Sequence, residues 1–293
     1  MQLNLHLLKI FYTVTEKQSF SLAAKSLFIS QPAVSKAVKE LEHQLGFALI
    51  ERGQSRNKLK LTQFGERIYE HAKGIFALEK IAVEEIESLT GVVRGSLIIG
   101  ASTTIAGYRL GHLIQQFCQN HPDIEIKIKV GNTQQVKNWL IECEIDLAFV
   151  EGQVRDPRLE LIQWQADELV IIGNNSLDLL DDNLTEQLSE MTWIMRESGS
   201  GTRDWADQIL ARQAIKPKKT IEVASNEGIL QMVRLGLGMA LVPKVVAADL
   251  LSLQAIQQIH FEGQMRFSRD LYQLVHRDRA NSPAAAKFLA NLE

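Results

Sequence analysis

The chain has no apolar stretch approaching the roughly 18 uninterrupted residues that a spanning helix needs, so no transmembrane helix is expected. Its first residues, MQLNLHLLKIFYTVTEKQSF, contain no basic segment followed by a purely apolar one. Lys9, Glu16 and Lys17 interrupt the run, so it does not read as a secretory signal. Cysteine is scarce. Cys118 and Cys143 alone can neither staple a chain of 293 residues nor build a cysteine-rich metal site. That scarcity points to a reducing cytoplasm. Internal repeats and low-complexity tracts are absent, which excludes solenoids and disordered tails.

Enzyme signatures are missing as well. The sequence has no HExxH, no metal-spaced Cys/His set, no GxSxG elbow and no GxGxxG. The seven histidines (6, 43, 71, 112, 121, 260 and 276) are scattered, and none pairs with an evident Ser or Cys nucleophile. Ser198-Gly199-Ser200-Gly201-Thr202-Arg203 resembles a phosphate loop, but no Gly-Lys-Ser/Thr follows it. No catalytic residue, metal or cofactor is expected.

What is present is an ordinary globular composition, 45% apolar and 23% charged, at a length that suggests about two domains. The charge is unevenly spread. Residues 1–62 hold nine Lys and Arg against four Glu, a net +5, whereas the remainder holds 23 against 31, a net −8. A basic head on an acidic body fits a polyanionic partner for the head.

The head reads as helices. Leu7, Leu8, Phe11 and Val14 recur at helical spacing within residues 3–14. Ser21 is expected to cap a short helix over 22–27. Ser30 caps the next, SQPAVSKAVKELEHQL, with Pro32 in its first turn and Gly46 beyond its end. A hairpin is expected over ALIER, GQSRN and KLKLT, turning at Gly53 and Asn57. Two helices followed by a hairpin describe a winged helix-turn-helix, whose second helix enters a DNA major groove. Ser30, Gln31, Pro32, Ser35, Lys36 and Lys39 stand where that helix meets bases or phosphates, and Gln31 suits an adenine edge. Arg52, Arg56 and Lys58 sit on the hairpin, placed for phosphates or a minor groove. From residue 63, Ile68, Ala72, Ile75, Glu79, Ala82, Ile86 and Leu89 alternate by four and three. This is a heptad seam with one polar break, expected to dimerise the chain through Ile68, Ala72, Ile75, Ala82 and Ile86.

Beyond Gly91, short β-rich runs alternate with helical ones. Strands are expected at 96–101, 124–130, 145–151, 159–164, 168–173, 192–196, 220–224, 239–243, 256–261 and 269–277, and helices at 104–119, 133–143, 201–213, 227–237 and 283–292. This is an α/β pattern with parallel sheets, too large for one sheet, so two lobes with a cleft are expected. Small polar residues mark four strand-to-helix junctions: Ser102-Thr103-Thr104; Asn132-Thr133; Ser198-Gly199-Ser200-Gly201-Thr202-Arg203; and Ser225-Asn226. Aimed at one cleft, their hydroxyls and free N–H groups suit a small anion, with Arg203 as an added cation. Taken singly, each junction is better explained as a helix cap.

Residues 3–65 resemble the DNA-binding domain of the LysR-type transcriptional regulators. The motifs are Leu8, Phe11 and Val14; SFSLAAKSL over 19–27; SQPAVSKAVKELEHQLG over 30–46; LIER over 49–52; and LTQFG over 61–65. Ile50-Glu51 departs from the family's usual Phe and polar or basic residue, which implies slightly weaker wing electrostatics. The resemblance extends over the whole chain. It implies a winged helix-turn-helix head at 1–62, a dimerising linker helix at 63–91, and a two-lobed α/β effector domain like periplasmic binding proteins at 92–293. Lobe one would be 92–164 plus 267–293 and lobe two 165–266, with crossings near Gln165 and Arg266.

Further motifs, including STTIA, VGNT, DLAFVEG and RESGSGTR over 196–203, resemble LysR-type regulators of sulfur assimilation and carbon fixation, which respond to small oxyanions or phosphorylated metabolites. In that comparison Glu151 would line the cleft, an uncomfortable neighbour for an anion. The resemblance implies a cytoplasmic bacterial regulator that binds an inverted-repeat operator in double-stranded DNA, dimerises through the linker and forms tetramers through the effector domains. A transport-type solute-binding module and an enzyme are the competing classes.

Overall fold

The computed structural model describes residues 3–51, 59–89, 95–152, 154–177, 183–260 and 267–292. Two compact units emerge, Met1–Val83 and Glu84–Glu293.

The first unit is helical: α1 (Leu5–Lys17), α2 (Phe20–Ser26), α3 (Gln31–Leu45) and α4 (Gln63–Ser88), the last running on past the unit's end. Each of the first three helices starts on a side-chain cap. Asn4 accepts from the His6 and Leu7 amides, Ser19 from Leu22, and Ser30 from Ala33. Ser21 is therefore not the cap of α2. Ser19 holds the extended backbone that a cap needs, and Ser21 lies one residue inside the helix. Leu8, Phe11, Val14, Ala23, Val34, Val38 and Leu41 interlock α1–α3 in one buried core.

After α3 the chain forms the base of a wing. Ile50 bridges Leu61 antiparallel, and Glu51 N–H donates to the Lys60 carbonyl at 2.9 Å. The Glu42 carboxylate pins this base from α3, accepting from the Leu49 and Ile50 amides at 2.8 and 3.2 Å. The expected turn residues Gly53 and Asn57, with Arg52, Arg56 and Lys58, lie outside the described residues. Thr62 then opens α4, its hydroxyl accepting from the Gly65 amide. Gly65 permits the close approach, because a Cβ there would meet the Leu49 carbonyl oxygen at 2.0 Å. Any side chain must push α4 off the wing, at a cost of about 1–3 kcal/mol for overpacking.

The first half of α4 packs onto α1. Tyr12 stacks on Tyr69 with centroids 5.6 Å apart and meets Phe76 at 5.2 Å, while Lys9 pairs with Glu79 at 2.8 Å. This corrects the expected seam. Ala72 is fully buried, and Ile68 and Ile75 pack against the same head core, so these three serve their own chain. Ala82 and Ile86 are exposed, together with Leu78, Val83 and Leu89. Glu79 is no break in a seam, because Lys9 holds it and Leu78 occupies the exposed apolar position beside it.

The second unit follows as β1 (Gly95–Ser102), α5 (Thr103–Tyr108), α6 (Leu110–Asn120), β2 (Ile124–Gly131), α7 (Thr133–Ile141), β3 (Leu147–Glu151), β4 (Leu159–Gly173), α8 (Leu184–Glu190) and β5 (Thr192–Met195). It continues with α9 (Gly201–Arg212), β6 (Lys219–Glu222), α10 (Asn226–Arg234), β7 (Ala240–Pro243), α11 (Lys244–Ser252), β8 (Gln257–Ile259), β9 (Phe267–His276) and α12 (Pro283–Ala290). The main sheet runs β2-β1-β3-β9-β4-β7, with β8 also on β4, and β5 and β6 form a second, two-stranded sheet.

Two expectations change here. The segments 159–164 and 168–173 are one strand, β4, carrying a bulge between Gln163 and Gln165. The sheets are not parallel throughout. β1 pairs parallel with β2 and β3, and β5 with β6, but β9 runs antiparallel to both β3 and β4, and β4 antiparallel to β7.

That antiparallel β4–β9 ribbon joins two lobes. One end carries β3, with apolar cores on both faces around Phe117, Phe149 and Phe288 and around Val136, Leu140 and Leu274. The other end carries β7 and β8, with cores around Trp193, Ile209 and Leu241 and around Val170, Ile229 and Val242. The first crossing contains Gln165, and the expected return near Arg266 lies outside the described residues.

Candidate functional site: a nucleic-acid face and an interlobe cleft

On the head, α3 turns Val34, Val38, Leu41 and Leu45 inward. Its opposite face therefore presents Gln31, Pro32, Lys36 and Lys39 to solvent, with Ser35 half-buried. Ser30 is exposed, but its oxygen is engaged as the cap of α3 at 3.3 Å. The tight turn before it needs a left-handed residue, Phe28 at φ 56°, and leaves that ring 95% exposed. Sequence reasoning did not single out Phe28. A bulky aromatic at positive φ has no propensity signature, although an exposed ring at the turn is unusual. Arg52 and Arg56, the expected wing contacts, lie outside the described residues.

In the second unit the four polar junctions meet between the lobes. Ser102 caps α5, Asn132 and Gln135 form a reciprocal capping box on α7, and Ser225 caps α10. From these starts, side chains reach across. Asn226 Nδ2 donates to Thr104 Oγ1 at 3.1 Å, and both residues are buried. The Gly201 amide donates to Thr133 Oγ1 at 3.2 Å, and the Gln134 amide to the Gly199 carbonyl at 3.1 Å. Gly201 admits this contact because a Cβ would lie 2.3 Å from the Glu151 carbonyl oxygen. Ser200 and Thr202 are buried beside it, while Ser198 is exposed.

At the centre lies Arg196, which sequence reasoning met in the 196–203 motif but did not place among the cleft contacts. It follows β5 directly and is 3% exposed. Its Nη1 donates to Thr103 Oγ1 on one lobe and Asn226 Oδ1 on the other, both at 3.0 Å. Its Nε and Nη2 grip the two Glu197 carboxylate oxygens at 2.8 and 3.0 Å. Glu197 also accepts from Asn132 Nδ2 at 3.2 Å. Burial opposes charge on Glu197, but the Arg196 hydrogen bonds and charge, with the Asn132 contact, outweigh it and hold this carboxyl below its ordinary pKa.

A second ion group sits on the crossing ribbon. Asp167 on β4 and Arg269 on β9 are register partners, joined at 2.8 and 2.9 Å. Arg109 reaches the other Asp167 oxygen at 2.8 Å, and Arg269 Nη1 donates to Thr202 Oγ1 at 2.9 Å. Glu151, 2% exposed, stands 3.6 Å from Arg269, so its charge is compensated within the protein. Arg203, expected to face the cleft, does not. Its guanidinium is held by Asp207 at 3.0 Å, Glu222 at 3.5 Å and the Arg196 carbonyl at 2.9 Å. From its position on α9 these acceptors outcompete the cleft.

No helix among the described residues is long and apolar enough to cross a membrane, and no group of three His, Cys, Asp or Glu among them is placed to hold a metal.

A basic helix-turn-helix head with a two-lobed α/β unit defines a ligand-responsive DNA-binding regulator. Comparison with known proteins places it. Residues 5–66 match the family described as bacterial regulatory helix-turn-helix protein, lysR family, and residues 90–293 match the LysR substrate binding domain. The chain belongs to the LysR family of transcriptional regulators, which are not enzymes. It is 32% identical to the transcriptional regulator CysL of Bacillus subtilis over 87% of this chain and 86% of that one. It is 34% identical to a probable RuBisCO transcriptional regulator of Cyanidioschyzon merolae over 96% and 94%. Among solved structures, full-length OxyR from Pseudomonas aeruginosa matches with a TM-score of 0.71 at 23% identity, covering 100% of this chain and 94% of that one, and supports the fold.

The Glu197 bridge has a pH signature. Its folded pKa lies below the unfolded one, so its stabilisation is present above the unfolded value, near 4.3, and is lost as pH falls through the folded pKa. Thermal denaturation of the full chain should show the wild type more stable than Glu197→Gln at neutral pH, the gap closing in acid. A gap independent of pH would show that the bridge contributes through packing and not through its charge.

Proposed function

We propose that this regulator reads an inverted-repeat operator as a dimer and is switched by a small oxyanion bound between the lobes of its effector domain. The observation that carries the ligand reading is the convergence of the α5, α7, α9 and α10 starts around a buried arginine, Arg196, in one cleft. Ser102, Thr103, Thr104, Asn132, Thr133, Ser198, Gly199, Ser200, Gly201, Thr202, Ser225 and Asn226 form the surround of that site; Arg203 is left out. The proposed domain division is a head at 1–62, a linker at 63–91 and an effector domain at 92–293. Similarity to CysL and to a probable RuBisCO transcriptional regulator supports sulfur assimilation or carbon fixation as the source of the anion. Action on bacterial DNA in the cytoplasm, and tetramers built through the effector domains, complete the reading.

On the head, Gln31 reads a base, while Lys36 and Lys39 with the wing arginines Arg52 and Arg56 hold phosphates. Gln31→Ala should cost about 1–3 kcal/mol on the cognate operator and relax the preference at one base pair. Equal losses on operator and random duplex, in a fluorescence binding titration, would remove its base-reading role.

The dimer contact is assigned to the exposed part of α4, with Leu78, Ala82, Ile86 and Leu89 as its apolar stripe, two-fold related in the manner of a two-fold operator. Ile86→Asp should dissociate the dimer in analytical ultracentrifugation without unfolding the head, because Ile86 is 67% exposed. An unchanged oligomer would move the contact elsewhere.

For the effector, a thermal-shift panel on the full chain should include sulfite, sulfate, phosphate, phosphorylated sugar acids and dicarboxylates. An anion at 100 times its Kd adds about 2.7 kcal/mol. Thr104→Val, which breaks the Asn226 contact across the cleft, should blunt the shift. A flat panel for both the wild type and Glu197→Gln would reject a small anion as effector.

A further inference from the structure

The cleft already contains a carboxylate in the place where an anion would be held. Glu197 is gripped by the Arg196 fork through both oxygens, at 2.8 and 3.0 Å, and by Asn132 from the facing lobe at 3.2 Å. Two parallel N–H···O bonds from one guanidinium are how arginine recognises a planar oxyanion. The rest of that guanidinium is spoken for, since Nη1 serves Thr103 and Asn226. An incoming anion therefore meets the two-pronged fork of Arg196 only where Glu197 now sits.

We infer that Glu197 is a built-in occupant of the effector position, and that the effector is an oxyanion presenting two oxygens which displaces it from Arg196 and Asn132. The inference rests on the anion reading of the cleft and specifies its chemistry.

Two features favour exchange over simple addition. First, the groups that hold Glu197 are donors, the guanidinium and a side-chain amide N–H, so its departure leaves a pocket complementary to negative charge. A neutral or cationic ligand would leave the arginine without a counter-charge at 3% exposure, which is strongly unfavourable. Secondly, the two partners differ in freedom. The Arg196 side chain is 3% exposed and anchored to both lobes, whereas that of Glu197 is 19% exposed. Glu197 sits on the open side, from which its carboxylate can turn into water and be solvated once released. Because an internal competitor must leave first, the apparent effector affinity is the intrinsic one multiplied by the fraction of molecules in which the fork is free.

The test compares full-length wild type, Glu197→Gln, Glu197→Asp and Arg196→Lys by calorimetric titration with inorganic phosphate, sulfate and malonate, at ionic strength matched with chloride. Glu197→Gln should half-saturate at a concentration at least tenfold lower than the wild type, Glu197→Asp should fall between them, and Arg196→Lys should lose the response. Should Glu197→Gln fail to fold, Glu197→Asp carries the comparison, since it keeps the charge and loses the two-oxygen geometry. A wild type that stays silent while Glu197→Gln saturates also supports exchange. Equal midpoints for the wild type and both Glu197 variants would overturn exchange and leave the anion reading standing, and so would an Arg196→Lys protein that titrates like the wild type. Silence from every form would end both.

Discussion

The second unit depends on one buried ion pair, Asp167 with Arg269, placed side by side on the two strands that run from lobe to lobe. Removing both side chains from water is expensive, and a lone partner left behind would cost several kcal/mol. The pair survives because every charge around it has an answer. Arg109 takes the second Asp167 oxygen, and Glu151 stands near Arg269. Arg269 also holds the hydroxyl of Thr202, in the first turn of α9. The ribbon thus fixes where one lobe's helix starts relative to the other lobe's strand end. Gly201 then sits flush against the Glu151 backbone, where no other residue fits.

From that fixed frame the cleft acquires its balance. Three arginines, at 109, 196 and 269, stand among three carboxylates, at 151, 167 and 197. Formal charge around the cleft is therefore close to neutral, and the remaining positive potential comes from the starts of the helices that open there. A diffuse potential of this kind attracts anions in general. Discrimination has to come from fixed donors, and the guanidinium of Arg196 is firmly fixed, tied at once to Thr103 and Asn226 on opposite lobes. In the proposed exchange it serves as both a structural bridge and a recognition fork.

Much of this was legible in the sequence, for definable reasons. The α3 stripe, the Ser30 cap and the closing Gly46 are local signals, and they appear as such. The four polar junctions were legible because caps must precede helices, and parallel strands bring those caps to one edge. What failed was mainly non-local. Nothing local reveals that Ile68, Ala72 and Ile75 face α1 rather than a second copy, because both environments are apolar. Arg203 looked like a cleft residue; its pairing with Asp207, one turn along α9, was a local signal left unused, whereas Glu222 on β6 meets it only through folding. The helices α8 and α11 went unseen. The first is 7 residues long with one buried leucine, and the second follows Pro243 without a side-chain cap. Arg196 and Glu197 were read as the end of a strand and the start of a loop, since a buried charge has no signature until its partner is known.

The pairing of neighbours in sequence has a consequence for signalling. A ligand shifts a conformational equilibrium only by its difference in affinity between the two arrangements. In this chain the lobes are already linked without ligand, because Glu197 joins Arg196 to Asn132 across them. An effector that merely reproduced that link would change little. It must contribute contacts beyond the fork. Glu197 also acts as a competitor attached to the site, at an effective concentration on the order of mM by analogy with short flexible linkers. Chance encounters with weak anions below that level leave the internal bridge in place. The response threshold is then set by one residue that touches the effector's partner and never the effector itself, so closely related regulators can be tuned to different concentrations of similar anions without rebuilding the cleft.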